Sequence, residues 1–256
     1  MTPLLSLERV TKRFGGLAAV SGVDLRIGVG ELVGLIGPNG AGKTTLFNLL
    51  TGVYAPTEGR IALAGRAIQG ARPSQVTALG AARTFQSSRL FRHLTAMDNV
   101  LVAAHLRGHA GLVDAILHTP RLRRADARLA ERAIEVLRKV NLEHAANAIA
   151  GDLPYGLQRR LEIARALATQ PRLLLLDEPA AGMNPQEKAE LASLIESIRQ
   201  STDLSILLIE HDMRVVMGIC ERIYVLDYGE VIAEGDPATI RANPKVVAAY
   251  LGQETA

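Results

Sequence analysis

Three short segments of this chain are apolar almost without a break: "ELVGLIG" at 31–37, "RLLLLDE" at 172–178 and "LSILLIEH" at 204–211. A strand with one wet face alternates apolar and polar residues, so continuous hydrophobicity requires cover on both faces. Helical patterns separate the three runs, which constrains the fold to an α/β core with a mainly parallel sheet. One of these helices is well marked at 184–200. Asn184 is its N-cap, Pro185 its first residue and Glu187 the partner in a capping box, and Leu191, Leu194, Ile195 and Ile198 share one face.

Other portions follow different patterns. "LLSLERV", "VDLRI" and "RIALAG", within residues 1–27 and 60–65, are separated by turn residues and predict an antiparallel piece. "RIYVLDYGEVIAEG" at 222–235 predicts a hairpin turning at Asp227 to Gly229. From Thr95 to Val140 the periodicity is helical, with Leu129, Ala133, Val136, Leu137 and Val140 in one stripe. This predicts an inserted helical subdomain at 87–158, with the core formed by 1–86 and 159–256.

With 256 residues, 48% of them hydrophobic, the chain can bury a substantial core. No run approaches the ~20 apolar residues of a membrane-spanning helix, and Met1 to Val10 lacks a signal-peptide layout. A cytoplasmic protein is expected. Its one cysteine, Cys220, excludes an internal disulfide and is expected to be a small core residue. The formal charge of +3 and pI near 9.2 are mildly basic. The arginines of "RLRRADARLAER" (121–132) alternate with acids and alanines, which predicts a solvated helix face and no nucleic-acid partner.

The chemistry concentrates in "GPNGAGKT", placed between a buried strand and a helical pattern. Its spacing is that of a phosphate-binding loop. The backbone of Gly37, Pro38, Asn39, Gly40, Ala41 and Gly42 wraps phosphates, Lys43 neutralises them, the Thr44 hydroxyl holds magnesium, and Thr45 completes the nucleotide contact. Asp177 and Glu178 end a second apolar run, where α/β proteins bind ligands. Asp177 suits magnesium held through water, and Glu178 suits the attacking water. His211 ends the third run, either as a structural histidine or as a γ-phosphate sensor. "GDLPYGLQRRLEIARAL" (151–167) runs into a helix with arginines on one side and Leu161, Ala164 and Leu167 on the other. Its start is either a loop-to-helix junction or an uncapped anion site.

Together these residues resemble the ATP-binding subunit of an ABC transporter over nearly the whole chain. The resemblance implies ATP and Mg2+ as ligands, with Thr44, Gln86 and Asp177 at the metal and Glu178, His211 and Gln86 in catalysis. Gln86 in "ARTFQ" matches the loop glutamine between core and helical subdomain, and Phe14 in "KRFGG" falls where the family stacks an aromatic on adenine. A buried strand-end aromatic is the alternative for Phe14. "AAGMNP" (180–185) resembles the loop that crosses the dimer interface, with Asn184 where aspartate is more usual.

In this family the helix after a Leu-Ser-Gly-Gly-Gln signature faces the γ-phosphate of ATP held by the opposite subunit. Here Leu153 and Gly156 match, Tyr155 resembles a variant in branched-chain amino acid importers, and Pro154 and Leu157 depart from the pattern. A charge-assisted hydrogen bond is worth about 1.5–3 kcal/mol, so Pro154 is expected to weaken the site built on the partner's phosphate loop, making the two sites of a heterodimer unequal.

Within the family, "ARTFQSSRLFRHLTAMDNVLVAAH", "LDEPAAGMNP" and "GDPATIRANPKVVAAYLG" look most like branched-chain amino acid importers. Related urea, amide and lipopolysaccharide systems, and soluble ABC ATPases, are the alternatives. A repair ATPase carries long coiled coils, and 87–150 shows no sustained heptads. No Asn-Lys-x-Asp guanine motif is present. The implied partners are an identical or homologous ATPase subunit, membrane permeases meeting a groove near Gln86 to Asp98 with "LFRHL", and indirectly a solute-binding protein. The implied location is the inner face of the cell membrane.

Overall fold

The computed structural model describes residues 3–85, 89–105 and 120–251, with side chains from 127 to 250 in the last stretch. The chain divides into two compact units, Met1–Arg83 with Arg172–Ala256, and Thr84–Pro171. In chain order the helices are α1 (Lys43–Leu50), α2 (Pro73–Ala78), α3 (Ala96–Ala104), α4 (Pro120–Lys139), α5 (Tyr155–Ala168), α6 (Pro185–Gln200), α7 (Met213–Ile219), α8 (Pro237–Ala242) and α9 (Pro244–Leu251). All of α5 falls in the second unit, whereas the sequence pattern ended the helical portion at Gln158.

The first unit holds two sheets. The antiparallel one runs β2-β1-β4-β5, from β1 (Leu5–Phe14), β2 (Leu17–Ile27), β4 (Glu58–Leu63) and the short β5 (Arg66–Ala67). The other runs β10-β9-β3-β8-β7-β6, from β3 (Leu32–Ile36), β6 (Ala81–Arg83), β7 (Leu173–Asp177), β8 (Ser205–Ile209), β9 (Arg222–Asp227) and β10 (Glu230–Gly235). Its pairings are parallel except β9 with β10. The α/β class, the antiparallel piece and the hairpin are therefore as the sequence pattern predicts.

The three apolar runs become β3, β8 and β7, side by side, with every residue buried. Each fully buried leucine or isoleucine contributes about 1.5–3 kcal/mol, which favours this central position over an edge. Register then positions the site. Leu35 and Asp177 both pair with Ile209, so the three strands end level and the residues that follow them emerge along one rim.

Two further features fix that rim. The β9–β10 turn has positive φ at Tyr228 (43°) and Gly229 (84°), as a two-residue hairpin with matched twist requires. Gly229 then donates to the Ala41 carbonyl at 2.9 Å and accepts from the Ser21 amide at 2.8 Å, linking the hairpin, β2 and the phosphate loop. At α6, Asn184 and Glu187 exchange side-chain to backbone bonds of 3.0 and 2.9 Å, the predicted capping box.

In the second unit α3 packs against α4 and α5. Ala133, Leu137 and Val140 are buried, and Leu129 and Val136 partly so, which carries the predicted stripe. The rest of the helical periodicity predicted between Thr95 and Val140 includes 106–119, outside the described residues. Among the described residues no helix is long and apolar enough to cross a membrane. Cys220 is buried, and desolvation pushes its thiol pKa up to about 12.

Candidate nucleotide site

The loop Gly37–Gly42 joins β3 to α1, and its first and last positions have room for glycine alone. A Cβ on Gly37 would lie 1.9 Å from the Leu226 carbonyl oxygen, and one on Gly42 would lie 2.4 Å from that of Ala19. Gly42, with φ 103°, is the N-cap of α1 and offers no side-chain acceptor. A helix that starts this way presents its amide end and positive dipole to an external anion. Pro38, Asn39, Gly40 and Ala41 also border a cavity of about 570 Å³.

Lys43 is 6% exposed, and its Nζ donates to the Gly37 and Pro38 carbonyls at 2.6 and 2.8 Å. Burial lowers its pKa, while the Glu178 and Asp177 carboxylates oppose that shift. The cation is thus held within the loop and within electrostatic reach of the β7 tip. Thr44 is exposed and Thr45 half-buried in the first turn of α1.

At the β7 tip Asp177 forms a buried ion pair with Arg83, 2.7 Å apart, with both side chains 7% exposed. Arg83 also donates to Asn48 Oδ1 of α1 at 2.7 Å and lies over the Phe47 ring. Arg83 escapes sequence reasoning because it pairs across 94 positions. Its one local signal is its place at the end of β6, the strand next to β7.

Glu178 has φ 48°, a left-handed conformation that disfavours a side chain and recurs at functional sites. Its Oε1 lies 2.5 Å from His211 Nε2. The structure brings together Lys43, Asp177, Glu178 and His211, predicted from three separate motifs. A carboxylate against an imidazole can hold and move a proton.

Phe14 ends β1 and is 43% exposed, which removes the buried alternative. It packs edge-on against Tyr54, ring centres 5.3 Å apart, with Lys12 Nζ 5.1 Å from the Phe14 centroid and 5.7 Å from that of Tyr54. Tyr54 was not predicted, because a lone aromatic after a turn carries no periodic signal. Gln86 lies outside the described residues.

In the second unit Pro154 is the N-cap of α5, with φ −50° and no side-chain cap. Its carbonyl accepts from the Leu157 and Gln158 amides at 2.9 and 3.0 Å, and Gln158 Nε2 donates to the Leu153 carbonyl at 2.7 Å. Leu161, Ala164 and Leu167 are buried as predicted. Arg159, on the arginine side of this helix, is 6% exposed. It donates to the Tyr155 hydroxyl at 2.9 and 2.7 Å and to Glu162 at 2.8 Å. Gly156 follows Tyr155 in the first turn of α5.

The residues present fit a nucleoside triphosphate, since the crowded glycines leave a backbone cradle with one buried cation in it. They also fit a magnesium ion that arrives with the phosphates. Among the described residues no group of three or more His, Cys, Asp or Glu side chains forms a cage, and Mg2+ commonly binds through one or two protein oxygens plus substrate phosphates.

Residues 20–181 match the family model for ABC transporters, and residues 230–256 match that for branched-chain amino acid ATP-binding cassette transporters. The chain is 51% identical to the high-affinity branched-chain amino acid transport ATP-binding protein LivG of Escherichia coli (strain K12), covering 98% of each chain. It is similar to the solved ADP conformation of MJ1267, an ATP-binding cassette of an ABC transporter, with TM-score 0.85, 29% identity and coverage of 98% of this chain and 100% of that one. It is also similar to the dimeric post-hydrolysis cassette MJ0796 bound to ADP and Pi, with TM-score 0.75, 28% identity and coverage of 91% and 98%. On the strength of both the strand-tip geometry and these likenesses, the chain belongs to the ABC transporter family as an ATP-binding cassette.

Proposed function

We propose that this chain is the ATP-hydrolysing subunit of an importer for branched-chain amino acids, working as a dimer on the cytoplasmic face of membrane permeases that receive solute from a binding protein. The observation that carries the hydrolytic role is the 2.5 Å contact between Glu178 and His211 beside the phosphate loop. The choice of solute is supported by the match at 230–256 and by the 51% identity to LivG. Both favour amino acids over the urea, amide, lipopolysaccharide and soluble-ATPase alternatives.

In this reading the amides of Gly37–Gly42 and the start of α1 bind the β- and γ-phosphates, and Lys43 turns its ammonium from the loop carbonyls toward them. Phe14, supported by Tyr54, stacks on adenine. Glu178 accepts the proton of the attacking water, and His211 holds Glu178 in place and donates toward the γ-phosphate. Thr44, Gln86 and Asp177 would hold Mg2+, which would neutralise charge on the phosphates. Leu153, Pro154, Tyr155, Gly156 and Leu157 present the head of α5 to the nucleotide of the partner subunit. Closure of the two subunits moves the permeases through contacts near Phe91 and Leu94, both exposed.

The test is reconstitution with the permeases in vesicles and measurement of ATP-driven leucine uptake. Glu178→Gln is expected to keep ATP binding, trap an ATP-dependent dimer and lower turnover about 10²- to 10⁴-fold. Full turnover by that variant refutes the hydrolytic assignment, and uptake of no branched-chain amino acid by the active complex refutes the solute.

A further inference from the structure

Glu210 follows β8 directly, one residue before His211, and the chemistry above does not use it. It is 4% exposed. Its Oε1 accepts from the Ala180 amide at 2.7 Å and its Oε2 from the His211 amide at 3.2 Å; the Asp212 amide bonds to it as well. Burial pushes its pKa up, while these amides and the nearby Glu178 charge act in opposite directions on it. A buried carboxylate is tolerated when its acceptor sites are filled. Here they are filled by the main chain of two separate strand tips.

Ala180 lies two residues beyond Glu178, in the turn that begins with the left-handed φ of 48°. On its N-terminal side that turn is held by the Glu178 amide, which donates to the Ile209 carbonyl at 2.9 Å. On its far side it is held by Glu210. We propose that Glu210 is a positioning residue for hydrolysis: its carboxylate clamps the Glu178 turn to the backbone that carries His211, so that their side chains meet before nucleotide arrives. Three main-chain donors require a group that only accepts, which a carboxylate is and a carboxamide is not. This role rests on the assignment of Glu178 and His211 to hydrolysis.

The test measures ATPase kinetics and mant-ATP binding for Glu210→Ala, Glu210→Gln and Glu178→Gln in the complex with the partner subunit and permeases. Glu210→Ala is expected to lower kcat about tenfold to a hundredfold, with KM and mant-ATP affinity within about twofold of the parent. Glu210→Gln keeps one acceptor and is expected to fall between, about threefold or more below the parent. A parental kcat in Glu210→Gln overturns the clamp even if the alanine variant fails to fold. So do equal rates in the two variants, or a loss of rate matched by a loss of affinity. Full turnover by Glu178→Gln instead refutes the underlying assignment, whereas a slow Glu178→Gln beside a parental Glu210→Ala refutes the clamp alone.

Discussion

The helices α1 and α5 both begin without a side-chain cap, and they do so in different ways. α1 starts at Gly42 in the left-handed region, and α5 starts at Pro154 in extended backbone. By contrast α3, α6, α7 and α8 are capped by the side chains of Thr95, Asn184, Asp212 and Asp236. A cap satisfies amides that otherwise need an outside partner. At α1 crowding excludes any larger residue at Gly42, and a buried lysine adds full charge to the helix dipole. At α5 the nearby Arg159 is engaged by Tyr155 and Glu162, leaving mainly the dipole. In the proposed function the α1 end grips an anion alone, and the α5 end completes a grip made by the partner subunit.

That contrast is open to direct attack. Lys43→Ala should raise the Kd for ATP about a hundredfold or more, because charge-assisted bonds to phosphate are lost; equilibrium binding with mant-ATP reads this, and an unchanged Kd breaks the contrast. Pro154→Ser, which restores a capping hydroxyl, should leave the chain's own ATP affinity unchanged and speed turnover of the reconstituted complex by about tenfold. An unchanged rate there means that the proline costs the partner's site nothing. Smallest is Tyr155→Phe, which frees Arg159 from one of its partners. It should lower the melting temperature by about 4 °C, from a loss of about 1–2 kcal/mol, with little change in ATP affinity.

The same contrast shows what a sequence reveals. β3, β7 and β8 were legible because burial on both faces writes an uninterrupted apolar run. α6 was legible because its cap, Asn184 with Glu187, is local. The phosphate loop was legible because backbone geometry dictates its glycines. Arg83 and Glu210 were not, since each is a charged residue whose burial depends on a partner brought in by the fold: Asp177 lies 94 positions from Arg83, and Ala180 lies 30 from Glu210. Pattern reading assigns such residues to solvent. Tyr54 was missed for a related reason, since this loop residue acquires meaning from Phe14 at the end of β1.

The ion pair of Asp177 with Arg83 has a practical corollary. The carboxylate proposed to meet magnesium already has a counterion, so Asp177 is electrically balanced before any divalent ion is present. Folding should therefore be indifferent to chelation. EDTA should leave the thermal unfolding midpoint of the nucleotide-free protein where it was, and a drop of several degrees would mean that the guanidinium does not perform that service.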